Sequence, residues 1–151
     1  MTNTQRFDAR DDRDAIIAIF TKMAAAMDRK DWEAYESIFT EDAVADFIDQ
    51  FHRIGRPKVV QLVREVIDAC GPTHHLIGNF DISIDGDKAV GSCNVRAHHC
   101  GKGDKAHLFQ ESLGTFTGTF RRTGEGWRMA HLQERVPIML GTIEIFPTPS
   151  P

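Results

Sequence analysis

Thr73-His74-His75-Leu76-Ile77-Gly78 marks the point where this chain of 151 residues changes its period. Before it, apolar residues recur at helical spacing; after it, they alternate as in strands. Neighbouring residues on a strand point to opposite faces. One histidine of the pair therefore looks into the protein while the other looks out. An inward histidine in an apolar cavity, oriented by a carboxylate, is equipped to act as a general base.

Working back from that stretch, helices are expected over 11–27, 32–39 and 59–69. In the first, Ile16, Ile17, Phe20, Met23, Ala24 and Met27 share one face. Asp31 can cap the second, whose apolar face holds Trp32, Tyr35, Ile38 and Phe39. Short strands are expected at 43–47 and near Phe51. Working forward, 74–84 and 88–99 form a hairpin around Asp85-Gly86-Asp87. Further strands follow at 107–121 and 127–136. Helices first and long antiparallel strands afterwards make an α+β fold. The expected shape is a cone: a curved, mixed but mainly antiparallel sheet wrapped over three N-terminal helices, with a pocket at its open end. The expectation is one domain over 1–151. Residues 1–8 form a loose arm, and a tail over 141–151 ends in Pro147-Thr148-Pro149-Ser150-Pro151, which cannot be regular.

Composition narrows the function classes. Net charge is -4 with no basic stripe, so nucleic acid is not an expected partner. No apolar run reaches the roughly 18 residues of a membrane span. The first residues are polar and charged, unlike a signal peptide. Cys70, Cys93 and Cys100 have no CxxC spacing and fit a reducing cytoplasm. No phosphate-cradling glycine loop is present, and Ser112 sits in no nucleophile elbow. His75, His99 and Asp28 could be drawn as two histidines and one carboxylate around a metal. No HExxH or HxH signature supports that, so neither metal nor cofactor is expected.

Several polar residues fall in apolar patterns. Asp28 continues the inward face of the first helix, eight residues after Phe20. A carboxylate is unfavourable at a helix C-terminus, so it needs solvent or a partner, and a histidine would serve. On the second long strand Ala89, Gly91, Cys93, Val95 and Ala97 share a face with His99, which is therefore inward. There it serves either as a core residue or as a pocket group. On the first long strand, Phe80, Ile82 and Ile84 share parity with His74. A bulge near Gly78-Asn79 would bring His75 inside instead, and alternation leaves both open. His131 shares parity with Trp127 and Met129 and is expected inward. His52 and His107 read as surface or loop residues.

Asp28-Arg29-Lys30-Asp31-Trp32, Thr73–Gly78, Val95-Arg96-Ala97-His98-His99 and Gly126-Trp127-Arg128 together resemble the SnoaL-like branch of the nuclear transport factor 2-like superfamily. The closest look is to its scytalone dehydratase and hexachlorocyclohexane dehydrochlorinase types. The resemblance runs from about residue 14 to 138. It implies an NTF2-like, cystatin-like cone and a cofactor-independent lyase. It matches Asp28 and His75 to the aspartate–histidine pair of those enzymes, and His99 to a second histidine of the dehydratase. It thereby favours His75 and the bulge. Met27 and Phe47 stand where the dehydratase carries tyrosines, and Gly114 and Phe116 stand near its serine and asparagine. Tyr35, the one tyrosine, faces the helix core by its spacing.

The implied chemistry is β-elimination of water or halide, or retro-aldol-like cleavage, on a small hydrophobic cyclic or aromatic substrate. His75 is the base, Asp28 orients it, and His99 donates a proton or hydrogen bond. Phe20, Met23, Met27, Phe47, Val63, Ile67 and Phe116 are expected to line the pocket, with Asn79, Asn94 and His131 as further polar candidates. Two other readings use the same residues: an isomerase or polyketide cyclase, and a non-catalytic binding or assembly domain. A homotrimer or homodimer is expected, through a sheet face bearing Thr115, Thr117 and Thr119.

Overall fold

The computed structural model describes residues 9–151, so the arm expected over 1–8 lies outside the described residues. The elements run α1 (Ala9–Arg29), α2 (Trp32–Glu36), β1 (Phe39–Phe47), β2 (Phe51–Ile54), α3 (Arg56–Asp68), β3 (Thr73–Asp85), β4 (Lys88–Cys100), β5 (Phe109–Thr123) and β6 (Gly126–Gly141). One six-stranded sheet has the order β2-β1-β6-β5-β4-β3. β1 and β6 are parallel and every other pair is antiparallel. This is the expected α+β fold: three helices on a curved mixed sheet.

Several element boundaries differ from expectation, two of them for a pairing reason. α2 stops at Glu36 because Phe39 already pairs with Met129 of β6, so β1 starts there rather than at 43. β6 continues to Gly141, past the expected 136, because Ile138, Met139 and Leu140 still pair with β5. α1 is longer at both ends than 11–27.

Bulges bend the long strands. Register shifts fall between Gly78 and Asp81 on β3, between Leu113 and Thr115 on β5, and between Thr119 and Phe120 where β5 meets β6. Gly114 is needed at the second: a Cβ there would sit 1.9 Å from the Arg135 carbonyl oxygen.

The floor of the core is aromatic. Phe20 packs between Phe80 and Phe120, with ring centroids 6.2 and 5.4 Å away. Gly91 leaves room for it, since a Cβ there would lie 3.2 Å from the Phe20 ring. The start of α1 is clamped to the sheet through Asp12. Its carboxylate takes two hydrogen bonds from the Arg122 guanidinium, at 2.8 and 2.6 Å, and one from the Trp127 indole at 2.9 Å. Arg122 also lies 4.5 Å above the Trp127 ring. The other end of α1 carries Asp28.

Candidate active site

A cavity of about 410 Å³ lies between the inner face of the sheet and the helices. That is at the lower end of the roughly 300–1,000 Å³ common for small-molecule sites. Met23 and Met27 of α1, Val63 and Ile67 of α3, Phe47 of β1 and Phe116 of β5 line it, so most of its wall is apolar. Polar groups are few and grouped.

The first group is Asp28 and His75. His75 is inside and His74 is exposed. The register shift after Gly78 is what reverses strict alternation, and Asn79 sits in it with φ 54°. Asp28 accepts three hydrogen bonds from β3: the Thr73 hydroxyl at 2.9 Å, the His75 amide at 2.9 Å and the His75 ring Nδ1 at 2.6 Å. Burial pushes the carboxyl pKa up. The His75 ring, the His75 amide and the Thr73 hydroxyl more than offset this and hold it below the ordinary carboxylate value. A carboxylate can only accept, so Nδ1 carries the proton. Nε2 is then the free nitrogen of a ring that lines the cavity and whose side chain is only 4% exposed. Three donors also answer the unfavourable placement of a carboxylate at the C-terminal end of α1.

The second group is His99, buried on β4, with Gln110 and Ser112 of β5. The ring lies edge-on to His75, centroids 5.3 Å apart. His99 Nδ1 is 2.9 Å from Gln110 Oε1, and Gln110 Nε2 donates to Ser112 Oγ at 2.9 Å. Gln110 oxygen accepts, so the His99 proton also sits on Nδ1. Burial, and then the neighbouring His75, push its pKa down to about 4. His99 is therefore neutral at pH 7 and presents an unprotonated Nε2. Such a ring is an acceptor, which conflicts with the donor role the resemblance implied. Asp28 faces His75 and Gln110 faces His99, so these groups do not converge on a metal. Among the described residues no cluster of three or more His, Cys, Asp or Glu does.

The third group was not legible in the sequence: Glu134 of β6 and Tyr35 of α2 both line the cavity. Sequence parity put His131 inward with Trp127 and Met129. In the structure Phe120 pairs with Met129 and Thr119 with His131, so Ala130 is the extra residue of a bulge. Beyond it Leu132, Glu134 and Val136 face the cavity. His131 turns to the outer face, where its Nε2 is 2.6 Å from Asp46 Oδ2, and His52 binds the other Asp46 oxygen. Burial pushes the Glu134 carboxyl up to about 7. Tyr35, expected to serve the helix core, is fully buried, and among the described residues its hydroxyl has no hydrogen-bond partner.

Three other expected pocket residues lie elsewhere. Phe20 is fully buried in the aromatic floor, away from the cavity. Asn79 is exposed because the left-handed bulge turns it out, and Asn94 is exposed on the outer face of β4. The tail, by contrast, crosses the cavity. Phe146 lies edge-on to His99 at 5.3 Å, and Pro147, Thr148 and Pro149 line the opening. Ser150 is held by Glu65 and Arg53.

Residues 8–133 match the SnoaL-like domain family. The chain is 28% identical over 119 residues to the uncharacterized protein Rv2910c of Mycobacterium tuberculosis, covering 78% of this chain and 80% of that one. A crystal structure from Novosphingobium aromaticivorans, provisionally named an aromatic ring hydroxylase, superposes with a TM-score of 0.83 at 25% identity, over 91% of this chain and 98% of that one. The hexachlorocyclohexane dehydrochlorinase LinA-type3 of Novosphingobium barchaimii superposes with a TM-score of 0.78 at 17% identity, over 93% and 97%. At that identity the likeness concerns the fold. No helix among the described residues is long and apolar enough to cross a membrane.

Proposed function

The chain belongs to the SnoaL-like domain family, and we propose that within it the protein is a cofactor-independent lyase. The reaction is elimination of water or halide from a small hydrophobic ring compound. One observation carries this: Asp28 holds His75 by ring and backbone together, so the free Nε2 lies on the wall of an apolar cavity. That the fold neighbours include a dehydrochlorinase supports it.

His75 Nε2 takes a proton from a ring carbon of the substrate. The C–H electron pair forms the new double bond. The leaving group departs from the adjacent carbon with its bonding pair. The imidazolium that forms is stabilised by the Asp28 carboxylate, and its proton neutralises the departing hydroxide as water, or passes to solvent when halide leaves. His99, neutral and held by Gln110, accepts a hydrogen bond from a substrate hydroxyl and so orients the ring. The apolar walls exclude competing water.

3-Hydroxy-1-tetralone tests the dehydration, because loss of water gives fluorescent 1-naphthol. γ-Hexachlorocyclohexane tests halide loss through chloride release. One of the two is expected to turn over well above the buffer rate, and His75→Ala to lose about 10²–10⁴-fold of that rate while melting cooperatively. Equal rates in the wild type and His75→Ala would remove His75 from the chemistry.

A further inference from the structure

Glu134 has no part in the elimination as described, yet it faces the same cavity. It projects from β6 between Phe47 of β1 and Phe116 of β5, its Cα partners in the two flanking strands. All three side chains line the cavity. Neighbouring strands lie about 4.8 Å apart, so a phenyl ring flanks the carboxyl on each side. The backbone carbonyl of Glu134 is used by the Ile48 amide. Its carboxyl has no hydrogen-bond or ion-pair partner among the described residues, and burial is what acts on it. The side chain is only half-buried, and the surface it keeps opens on the cavity. An ionised carboxyl there is costly without a partner, and a partner can reach it only from the cavity.

The protein supplies no cation for this place. No lysine, arginine or second carboxylate lines the cavity. β2 presents Phe51, and α3 presents Leu62, Val63, Val66 and Ile67. Tyr35 of α2 is near, but burial and then Glu134 itself keep its phenol protonated and neutral. The charged Asp46, with His52 and His131, is on the outer face. His99 on β4 and His75 on β3 stand two and three strands from β6 in the sheet order. A neutral ligand group would leave the carboxyl protonated and make no electrical use of the two rings. A cation uses both, because the face of an aromatic ring attracts positive charge. The net charge of -4 favours the approach of a cation as well.

We propose that Glu134, flanked by Phe47 and Phe116, is the binding site for an organic ammonium group. The ligand class is then a hydrophobic ring compound that bears an aliphatic amine. The carboxylate pairs with the ammonium, the rings offer it their faces, and enclosure in the cavity strengthens the attraction. Burial pushes the empty carboxyl up to about 7. Below that pH an arriving ammonium therefore displaces the carboxyl proton to solvent; above it the pair forms without proton transfer. Three strand steps separate Glu134 from His75, about 14 Å along the sheet. The amine thus marks the end of the ligand remote from the carbon that His75 deprotonates. That this ligand is the substrate rests on the lyase reading; the ammonium site itself does not.

2-Aminotetralin, a two-ring frame with an aliphatic amine, and tetralin, the same frame without it, are the probes. An aliphatic ammonium titrates near lysine's value of about 10.4, so the amine is charged at both pH 6.0 and pH 8.5. Affinities are measured by calorimetry at these two pH values for the wild type, Glu134→Gln and His75→Ala, each checked by thermal melting. The wild type is expected to bind 2-aminotetralin about tenfold more tightly at pH 8.5, where a carboxyl titrating at about 7 is ionised. At pH 6.0 it is expected to release about one proton on binding, read from the heat in buffers of different ionisation enthalpy. Glu134→Gln is expected to bind the amine no more tightly than tetralin, equally at both pH values and without proton release. His75→Ala keeps the wild-type pattern. Amine binding no tighter than tetralin binding at pH 8.5, tighter binding at the lower pH, a dependence that survives Glu134→Gln, or one that vanishes in His75→Ala overturns the assignment. If the lyase reading alone is wrong, the binding pattern persists while His75→Ala leaves turnover unchanged.

Discussion

Asp28→Asn is the sharpest perturbation of the dyad because it exchanges one carboxylate oxygen for an NH₂ group and changes almost no volume. The carboxylate accepts from the Thr73 hydroxyl, the His75 amide and the His75 ring. A carboxamide offers one oxygen and one NH₂ group. If its oxygen faces the ring, its NH₂ opposes the His75 amide, donor against donor. If its NH₂ faces the ring, Nδ1 must give up its proton, and Nε2 becomes protonated toward the cavity. The first arrangement costs a hydrogen bond to a charged group, about 1.5–3 kcal/mol. At 2–4 °C per kcal/mol for a chain of this size, melting should fall by roughly 3–12 °C. The second removes the base outright, and a wrong tautomer in a comparable aspartate–histidine pair costs about 10⁴ in turnover. The assay is 1-naphthol formation from 3-hydroxy-1-tetralone alongside a circular-dichroism melt. Turnover within threefold of wild type in a protein that melts normally would refute the tautomer argument.

Two further predictions follow from burial. Glu134 has a raised folded-state pKa, so the stability it contributes is present below its ordinary 4.5 and is lost as pH rises to about 7. His99 has a lowered one, so its contribution is present above its ordinary 6.5 and is lost as pH falls toward about 4. Each is worth at most about 3 kcal/mol. The two oppose each other between pH 4.5 and 6.5, so wild-type stability should be nearly flat there, and Glu134→Gln should unmask a rise with pH in urea titrations. Parallel wild-type and variant curves would contradict this. Asp12→Asn should cost about 1.5–3 kcal/mol, because it makes the pair with Arg122 neutral on one side while Arg122 keeps Asp87 at 2.9 Å. It should leave turnover unchanged in the protein that remains folded; a matching loss of rate per folded molecule would show that the clamp reaches the site.

Much of the architecture could be read from the order of periods, because amphipathic helices and alternating strands each imprint their own spacing. The candidate site was legible only in part. Asp28 and His99 follow from parity with well-buried neighbours. His75 does not, since the left-handed Asn79 and its bulge reverse the alternation that links it to Phe80 and Ile82. The same failure on β6 exchanged His131 for Glu134, because the extra residue Ala130 is defined by pairing with β5 and leaves no mark in β6 alone. Tyr35 packs in the core against Trp32 and Phe39, as its spacing indicates; that a cavity also opens beside its ring leaves no mark in the spacing of one helix. Phe20 was placed in the pocket because its helix face is right, but Gly91 draws its ring into the floor instead.

The central claim is that His75 removes a carbon-bound proton from a ligand in this cavity, and deuterium exchange measures that step without needing a leaving group. 1-Tetralone is incubated with the protein in D₂O, and loss of the C2 proton signal is followed by NMR. The account predicts exchange well above the buffer rate with wild type and a return to the buffer rate with His75→Ala and Asp28→Asn. Wild-type exchange no faster than buffer, or exchange undiminished in His75→Ala, would contradict it.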